Sequence, residues 1–443
     1  MHHSDNSAFR GIHIRGLHKH TNVNNLNAKP DLELSFDIGS PKLRASERVG
    51  IHGWLHYFAA FSPSFVEATI NMLKLSDSSL LLDPFLGSGT SCVVAKSMNI
   101  PSVGVELNPM AYFISRAKLC WNIRREQILS GIEELQNVPD RGIEPSVEYQ
   151  RWFARGDATQ ERSLSIGSHI LENFSGELRD FLMASLLLTL RKIATSKQEL
   201  NPTWTPSRHK LPSLTRSQFH EMFGNQAKKM VNELNRFMLS HKSSDCCSEV
   251  FYADILQFDY PRQFDAMITS PPYLSRLDYV MSFRLENSLL EDLRALPGIN
   301  IRNLRDRMIG TVTITNKSEP DPMWGETCLE VLREIRHHPS KAASSYYYPT
   351  VMKYFKDMFK FFLKAKTLLR QGCSAVIVIQ TSYFKEIEIP VGRIFAEMAR
   401  KVGFREAFIK RRENVRFHRG LLDPEQRRYA HNKVLHEDVL QIS

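Results

Sequence analysis

Apolar positions along this chain repeat with two different periods. After a polar lead-in, residues 63–75 carry apolar side chains at helical spacing behind a Ser-Pro pair, which is typical of a helix N-terminus. The apolar runs at residues 79–82 and 100–105 have the length of strands, and residues 91–98 between them have the pattern of a helix. This succession predicts a strand–turn–helix–strand unit, the opening of a doubly wound α/β fold.

The α/β pattern is interrupted in the middle of the chain. Residues 120–245 contain helical segments around a polar, basic loop with Arg208 and Lys210. A strand-like run at residues 250–258 restores the pattern, and an amphipathic helix is predicted over residues 351–370 before a closing pair of strands. The predicted fold class is α/β, a Rossmann-like doubly wound sheet with a mainly helical insertion.

Charge and cysteine content narrow the class of protein. The 443 residues include 58 Lys and Arg against 48 Asp and Glu, so the formal net charge is +10. A basic chain favours polyanions such as nucleic acid, although an ordinary basic enzyme has the same balance. The six cysteines form no Cys-x-x-Cys pair, which indicates reduced thiols in a cytoplasmic protein without a metal site. The sequence contains no long uncharged apolar run of the kind that predicts a membrane span, and its polar N-terminus is unlike a secretory signal.

The first chemical motif is the glycine-rich turn that follows the first predicted strand. It reads DPFLGSGT, from Asp83 to Thr90, and lies between that strand and a helix. Glycines there let the backbone pass close to a ligand, and the following helix N-terminus favours an anionic group. The Gly-Lys-Ser/Thr ending of a P-loop and the Gly-x-Gly-x-x-Gly pattern of a nicotinamide site are both missing.

Two acidic residues follow later predicted strands. Glu106 ends the strand of VGVELNP and suits hydrogen bonds from both ribose hydroxyls of a nucleoside cofactor. Asp254, in YADIL, suits an adenine amino group. Taken alone, Glu106 is more often a solvated loop acid, and Asp254 more often a helix cap or loop acid.

A second motif, TSPPY at residues 269–273, follows a further apolar strand. Consecutive prolines make a rigid turn that fixes the Pro271 carbonyl as an acceptor. With the Ser270 hydroxyl, this carbonyl offers two acceptors for the hydrogens of an exocyclic amino group, and Tyr273 offers a ring on which a flipped base can stack. A purely structural turn is the alternative interpretation.

Together, DPFLGSGT, VGVELNP and TSPPY resemble the motif set of S-adenosylmethionine-dependent DNA amino-methyltransferases of the N4-cytosine and N6-adenine type. HYFAAFSPSFVEATI, RMIGT and the segment from YPTVMKYF to QTSYF are similar to further core segments of that family. Gln380-Thr381-Ser382 departs from the Gly-Asn/Asp-Ser that often ends the later strand, so Gln380 is given no role.

The resemblance implies a set of site residues. The cofactor S-adenosylmethionine is expected to contact Tyr57, Phe58, Asp83, Pro84, Phe85, Gly87, Ser88, Gly89, Thr90, Glu106 and Asp254. The implied catalytic residues are Ser270, Pro271, Pro272 and Tyr273.

The resemblance also suggests a division of the chain. Residues 1–45 are expected to form an N-terminal arm, 46–119 the cofactor-binding part and 246–443 the catalytic part of the methyltransferase core. The helical insertion, residues 120–245, is a candidate target-recognition region, and residues 283–345 are the alternative.

The implied function is site-specific methylation of an exocyclic amino group in double-stranded DNA. In the family that the chain resembles, Ser before Pro-Pro-Tyr is more often associated with cytosine N4 than Asp or Asn at that position, so the resemblance favours cytosine N4 over adenine N6. An RNA-directed amino-methyltransferase and a catalytically silent DNA-binding protein are the alternatives. The chain has no convincing nuclease motif, so DNA cleavage would require a separate partner, such as a cognate restriction endonuclease or another defence-system protein.

Overall fold

A computed structural model describes residues 38–57, 60–154, 156–195, 211–241, 246–274, 278–311, 319–415 and 435–443, with the backbone alone for 411–415. Its strands are β1 (Leu81–Asp83), β2 (Ser102–Glu106), β3 (Ser248–Tyr252), β4 (Phe264–Thr269), β5 (Leu369–Gln380), β6 (Ser382–Phe384), β7 (Ile387–Ile389), β8 (Ala407–Val415) and β9 (Leu435–Ile442).

The helices are named in the same way along the chain. They are α1 (Pro63–Met72), α2 (Thr90–Ser97), α3 (Pro109–Lys118), α4 (Arg125–Gln136), α5 (Val147–Gln150), α6 (Ala158–Asn173), α7 (Gly176–Ala194), α8 (Arg216–Ser240), α9 (Tyr279–Ser282), α10 (Arg284–Asp292), α11 (Ile301–Arg307), α12 (Glu326–His337), α13 (Tyr348–Leu368) and α14 (Val391–Val402). Among the described residues, no helix combines the length and the apolar character needed to cross a lipid bilayer.

The central sheet has seven strands in the order β3-β2-β1-β4-β5-β9-β8. The first five run parallel, and β9 pairs antiparallel with both β5 and β8. Strand order reverses between β1 and β4, and in such sheets ligands bind in the crevice at the carboxyl ends of the strands on either side of the reversal. The predicted Rossmann-like fold and its closing pair of strands are confirmed.

Helices cover both faces of the sheet, because alternate strand residues point to opposite sides. On one face, Leu81 of β1 packs in a cluster with Phe65 of α1 and Val94 of α2. On the other face, Leu82 lies in the cluster that contains Phe355 of α13 and Phe395 of α14. Helix α1 begins as its Ser-Pro pair predicts: the Ser62 hydroxyl accepts the Phe65 N–H and a proline occupies the first turn.

The region predicted as a helical insertion contains α4 to α8. Its core continues into that of the sheet region, because α7 packs against α3 and Phe181 of α7 and Phe113 of α3 belong to one buried cluster. The basic loop with Arg208 and Lys210 and residues 1–37 of the predicted arm lie outside the described residues.

Two predicted elements differ from the structure. The strand predicted over residues 250–258 ends at Tyr252, because the Asp254 side chain accepts the Leu256 N–H and turns the chain away from the sheet. The helix predicted over residues 351–370 begins and ends slightly earlier in the chain, as α13 over Tyr348–Leu368.

Candidate active site

A cavity opens at the carboxyl edge of the sheet, beside the reversal between β1 and β4. It is the place that this strand order favours for a ligand. The predicted cofactor residues that line it are Tyr57, Pro84, Phe85, Gly87, Ser88, Thr90, Glu106 and Asp254. The predicted catalytic residues that line it are Ser270 and Pro272. Motifs far apart in sequence therefore share one cavity wall.

Asp83 is placed behind this wall. Its buried carboxylate accepts hydrogen bonds from the Phe85 N–H at 3.1 Å, from the Thr269 hydroxyl at 2.8 Å and from the Ser91 hydroxyl. Burial raises the pKa of Asp83 to about 6, and the three hydrogen bonds oppose that rise. The carboxylate thus joins β1, the glycine-rich turn, α2 and the end of β4; its direct contact with a cofactor stays a prediction.

The two glycines that the loop needs are Gly87 and Gly89. Both have positive φ, +54° and +87°, in the left-handed region that glycine adopts without strain. A Cβ on Gly87 would approach the Tyr57 ring to 2.8 Å, and one on Gly89 would approach the Ser115 Cβ to 2.8 Å. Gly89 does not line the cavity, but the next residue, Thr90, does. Because Gly89 directly precedes the first residue of α2, its conformation sets the direction in which the helix begins.

Glu106 is a buried acid at the carboxyl end of β2. Its Oε2 accepts the Gly87 N–H and its Oε1 accepts the Asn108 N–H, both at 2.6 Å. Burial raises the pKa of this carboxyl to about 7, although both hydrogen bonds favour the charged form. Each carboxylate oxygen has a second acceptor site, so the group can hold the loop and still accept hydrogen bonds from a ligand.

Asp254 shares its part of the cavity with a residue that the motifs did not indicate. Arg307, at the end of α11, places Nε 3.5 Å from the Asp254 Oδ2, and Met308 and Ile309 extend the same wall. The resemblance of RMIGT to a core segment was the signal in the sequence for this contact, but it assigned no role to the arginine. A segment of the alternative recognition region thus reaches the cofactor side of the cavity.

The Ser-Pro-Pro-Tyr turn is held from β5 and α13. The Ser270 hydroxyl donates to the Val378 carbonyl at 3.2 Å, and the Tyr354 hydroxyl donates to the Pro272 carbonyl at 2.9 Å. Because the single Ser270 proton is directed to the main chain of β5, its oxygen faces other partners as an acceptor.

Pro271 and Tyr273 do not line the cavity. Pro271 is buried, and Tyr273 is half-buried. Burial, with a smaller effect from the negative charge of Glu437, raises the pKa of Tyr273 well above its usual value. The carbonyl and stacking roles predicted for these two residues stay predictions.

Tyr57 closes one side of the cavity by aromatic stacking. Its ring centroid lies 5.4 Å from that of Tyr279 and 5.8 Å from that of Phe283. The Asn108 amide donates to the Tyr279 carbonyl at 3.0 Å, so the segment after Glu106 is tied to α9. Phe58, predicted beside Tyr57, is not among the described residues.

A Rossmann-like sheet with a glycine-rich turn after β1, an acid after β2 and a proline-rich turn after β4 defines a methyltransferase fold. A family model described as DNA methylase, N6_N4_Mtase, matches residues 13–116. Together with the relatives that follow, this match supports the resemblance to the amino-methyltransferase family.

The similar proteins are type II methyltransferases. M.BsoBI of Geobacillus stearothermophilus is 25% identical over 305 residues, which is 62% of this chain and 58% of that protein. M.AvaI of Nostoc sp. (strain PCC 7120) is 24% identical over 382 residues, or 79% of this chain and 78% of the relative. M.MvaI of Kocuria varians is 24% identical over 362 residues, or 72% and 74% of the two chains.

Proposed function

We propose that this protein is an S-adenosylmethionine-dependent methyltransferase that modifies an exocyclic amino group of a base in double-stranded DNA. The observation that carries the proposal is that one cavity is lined by the glycine-rich turn, by Glu106 and by Ser270. A nucleoside cofactor and an amino group can therefore occupy adjoining parts of the same space. The type II methyltransferase names of the relatives support DNA as the substrate.

The residues present fit such a cofactor. The Glu106 carboxylate has acceptor capacity for ribose hydroxyls, and Asp254 has it for an adenine amino group. The glycine-rich turn and the N-terminus of α2 suit the carboxylate of the methionine portion. When bound, S-adenosylmethionine supplies an electrophilic methyl group.

The proline-rich turn then orients the nucleophile. The lone pair of an exocyclic amino group is delocalised into the base, which makes the nitrogen a weak nucleophile. Ser270 and the Pro271 carbonyl accept its two hydrogens and direct the lone pair toward the methyl group. Flipping of the base costs a few kcal/mol, which stacking on Tyr273 partly offsets.

Cytosine N4 is the proposed target atom, because serine precedes Pro-Pro-Tyr in TSPPY. Adenine N6 is the alternative within the same chemistry. An RNA substrate and a silent DNA-binding role are the remaining alternatives, and the restriction-modification setting of the relatives favours DNA methylation over both.

Modified-base sequencing of DNA from cells that express the chain tests this function. N4-methylcytosine at one recurring sequence is the expected result; N6-methyladenine would correct the target base, and methylation found only in RNA would refute a DNA substrate.

The Ser270→Ala variant tests the role of the Ser-Pro-Pro-Tyr turn. It is expected to raise the activation barrier of single-turnover methyl transfer by about 2–4 kcal/mol, by analogy with the loss of one preorganised hydrogen bond.

The matched control is Ser382→Ala. The Ser382 hydroxyl donates to the Leu274 carbonyl at 2.5 Å, so it holds the same turn without lining the cavity. This variant is expected to retain most of the single-turnover rate. Equal rates in wild type and Ser270→Ala would reduce TSPPY to a structural turn.

A further inference from the structure

A lysine lies beneath the glycine-rich turn and hydrogen-bonds to it. Lys118, the last residue of α3, is fully buried, and its Nζ donates to the Ser88 carbonyl at 2.7 Å. Ser88 lines the cavity, whereas Lys118 does not. The ammonium therefore contacts the turn from the side opposite to the proposed ligand.

The peptide between Ser88 and Gly89 is held at both of its polar atoms. Lys118 donates to the carbonyl oxygen of Ser88, and the N–H of Gly89 donates to the Leu86 carbonyl at 3.0 Å. One turn earlier on α3, Ser115 packs directly under Gly89. Helix α3 thus forms the floor on which the turn takes the backbone conformation that starts α2.

The charge of Lys118 is not matched by an acid. None of the salt bridges between described residues includes Lys118, and burial alone lowers its pKa to about 7. The charge acts on His52, whose own pKa is lowered to about 3 by burial and, to a smaller extent, by the Lys118 charge. A buried ammonium group without a carboxylate partner costs folding free energy. An apolar side chain at this position would avoid that cost.

We propose that Lys118 is a positioning residue that holds the Ser88–Gly89 peptide in the conformation that binds the cofactor. This inference rests on the proposed function, because it assumes that the turn contacts S-adenosylmethionine. Lys118 fixes the direction of the Ser88 carbonyl away from the cavity, and so leaves the N-terminus of α2 to face the ligand.

The test compares Lys118→Met with Lys96→Met. Lys96 is the matched control, because it is also buried and donates to a main-chain carbonyl, that of Leu119 at 3.1 Å, without touching the turn. Calorimetry with S-adenosylmethionine and S-adenosylhomocysteine is expected to show affinity about tenfold or more weaker in Lys118→Met, the size of one hydrogen bond from a charged donor. Lys96→Met is expected to stay within about twofold of wild type.

Kinetics separate positioning from a structural role. In Lys118→Met the KM for the cofactor is expected to rise, while the single-turnover rate at saturating cofactor stays close to wild type. Lys118→Gln keeps a polar donor, so its cofactor affinity is expected to lie between those of wild type and Lys118→Met. This variant replaces Lys118→Met in the test if the methionine variant does not fold. Wild-type affinity in a folded Lys118 variant, or an equal loss in Lys96→Met, would overturn the proposal.

Hydrogen–deuterium exchange of the ligand-free proteins gives a readout that does not depend on the proposed function. Backbone amides at residues 85–92 are expected to exchange faster in Lys118→Met than in wild type or Lys96→Met. A wild-type protein that binds neither ligand would refute the cofactor assignment, whereas unchanged exchange in Lys118→Met would refute the positioning role.

Discussion

At the scale of single residues, the site depends on buried acids whose protonation is finely balanced. Glu106 is the clearest example, because burial raises its pKa to about 7 while two backbone hydrogen bonds favour the charged form. As the pH falls through 7, the folded protein takes up a proton at Glu106, whereas the unfolded chain does so only near the ordinary value of 4.5. Stability from this group therefore decreases as pH rises from about 4.5 to 7.

The same titration predicts pH-dependent cofactor binding. Protonation removes acceptor capacity from the carboxyl, so affinity for S-adenosylmethionine is expected to fall between about pH 8 and pH 6. Glu106→Gln is expected to bind more weakly at every pH and to lose most of this dependence. Calorimetry at both pH values checks this, and an unchanged pH dependence in the glutamine variant would assign the titration to another group.

Gly89 provides a second prediction at this scale. Alanine there would hold φ near +87° and place its Cβ 2.8 Å from Ser115. Gly403→Ala is a matched control, because Gly403 has φ +100° but nothing within 4 Å of an added Cβ. Denaturant unfolding is expected to show a loss of about 1 kcal/mol for the control and about 2–4 kcal/mol for Gly89→Ala. Only the Gly89 variant is expected to lose cofactor affinity.

At the scale of elements, the periodic spacing of apolar residues predicted the helices and strands whose buried side is apolar. Helix α13 is one, and its buried positions include Phe355 and Phe362. Helix α6 was not predicted, because it buries polar residues such as Arg162, which hydrogen-bonds to His220 and to the Val138 carbonyl, both distant in sequence. The end of β3 was misplaced for a similar reason, since a side-chain hydrogen bond from Asp254 decides it.

The site was predictable where motifs carry it and not where packing does. The turn from Asp83 to Thr90, Glu106 and Ser270 were singled out from sequence, because their residue types and order are specific. Arg307 and Lys118 were not, since each is an ordinary basic residue until the fold brings it to the cavity wall or beneath the turn. Tertiary contacts of this kind leave no periodic pattern in a single sequence.

A buried ion pair links the helical region to the segment after the catalytic turn. Arg191 of α7 lies 2.6 Å from Glu286 of α10, donates to the Ser282 carbonyl at 2.8 Å and stacks over Phe283. Glu286 is fully buried, and burial raises its pKa in spite of the arginine. The pair therefore couples two elements that the sequence analysis treated as separate candidates for DNA recognition.

Arg191→Met is expected to destabilise the protein by about 3–5 kcal/mol, because it leaves the Glu286 charge buried without a partner. The loss should be smaller at low pH, where Glu286 is protonated. Arg191→Met combined with Glu286→Leu is expected to recover most of the stability. Urea unfolding of the single and double variants measures this, and a purely additive double variant would contradict the pairing.

At the scale of the whole molecule, two regions adjoin the central sheet and its site, and both are candidates for DNA recognition. The helical region packs on α3, which follows Glu106, while α11 sends Arg307 to the cavity itself. The net charge of +10 favours binding to the phosphate backbone, but backbone contacts carry no sequence information. Salt dependence and base preference therefore have to be measured separately for each region.

Paired alanine variants distinguish the two regions. Arg208→Ala with Lys210→Ala alters the basic loop of the helical region, and Arg294→Ala with Arg302→Ala alters exposed residues after the catalytic turn. Wild-type affinity for DNA is expected to fall steeply with salt, with about −0.9 in the log–log slope for each neutralised phosphate. We expect the Arg208 and Lys210 pair to reduce that slope by up to about 2 and to change the methylated sequence, because the helical region is the proposed reader. If sequence preference changes only in the Arg294 and Arg302 pair, recognition belongs to residues 283–345, since base contacts alone alter preference while phosphate contacts weaken binding to all sequences alike.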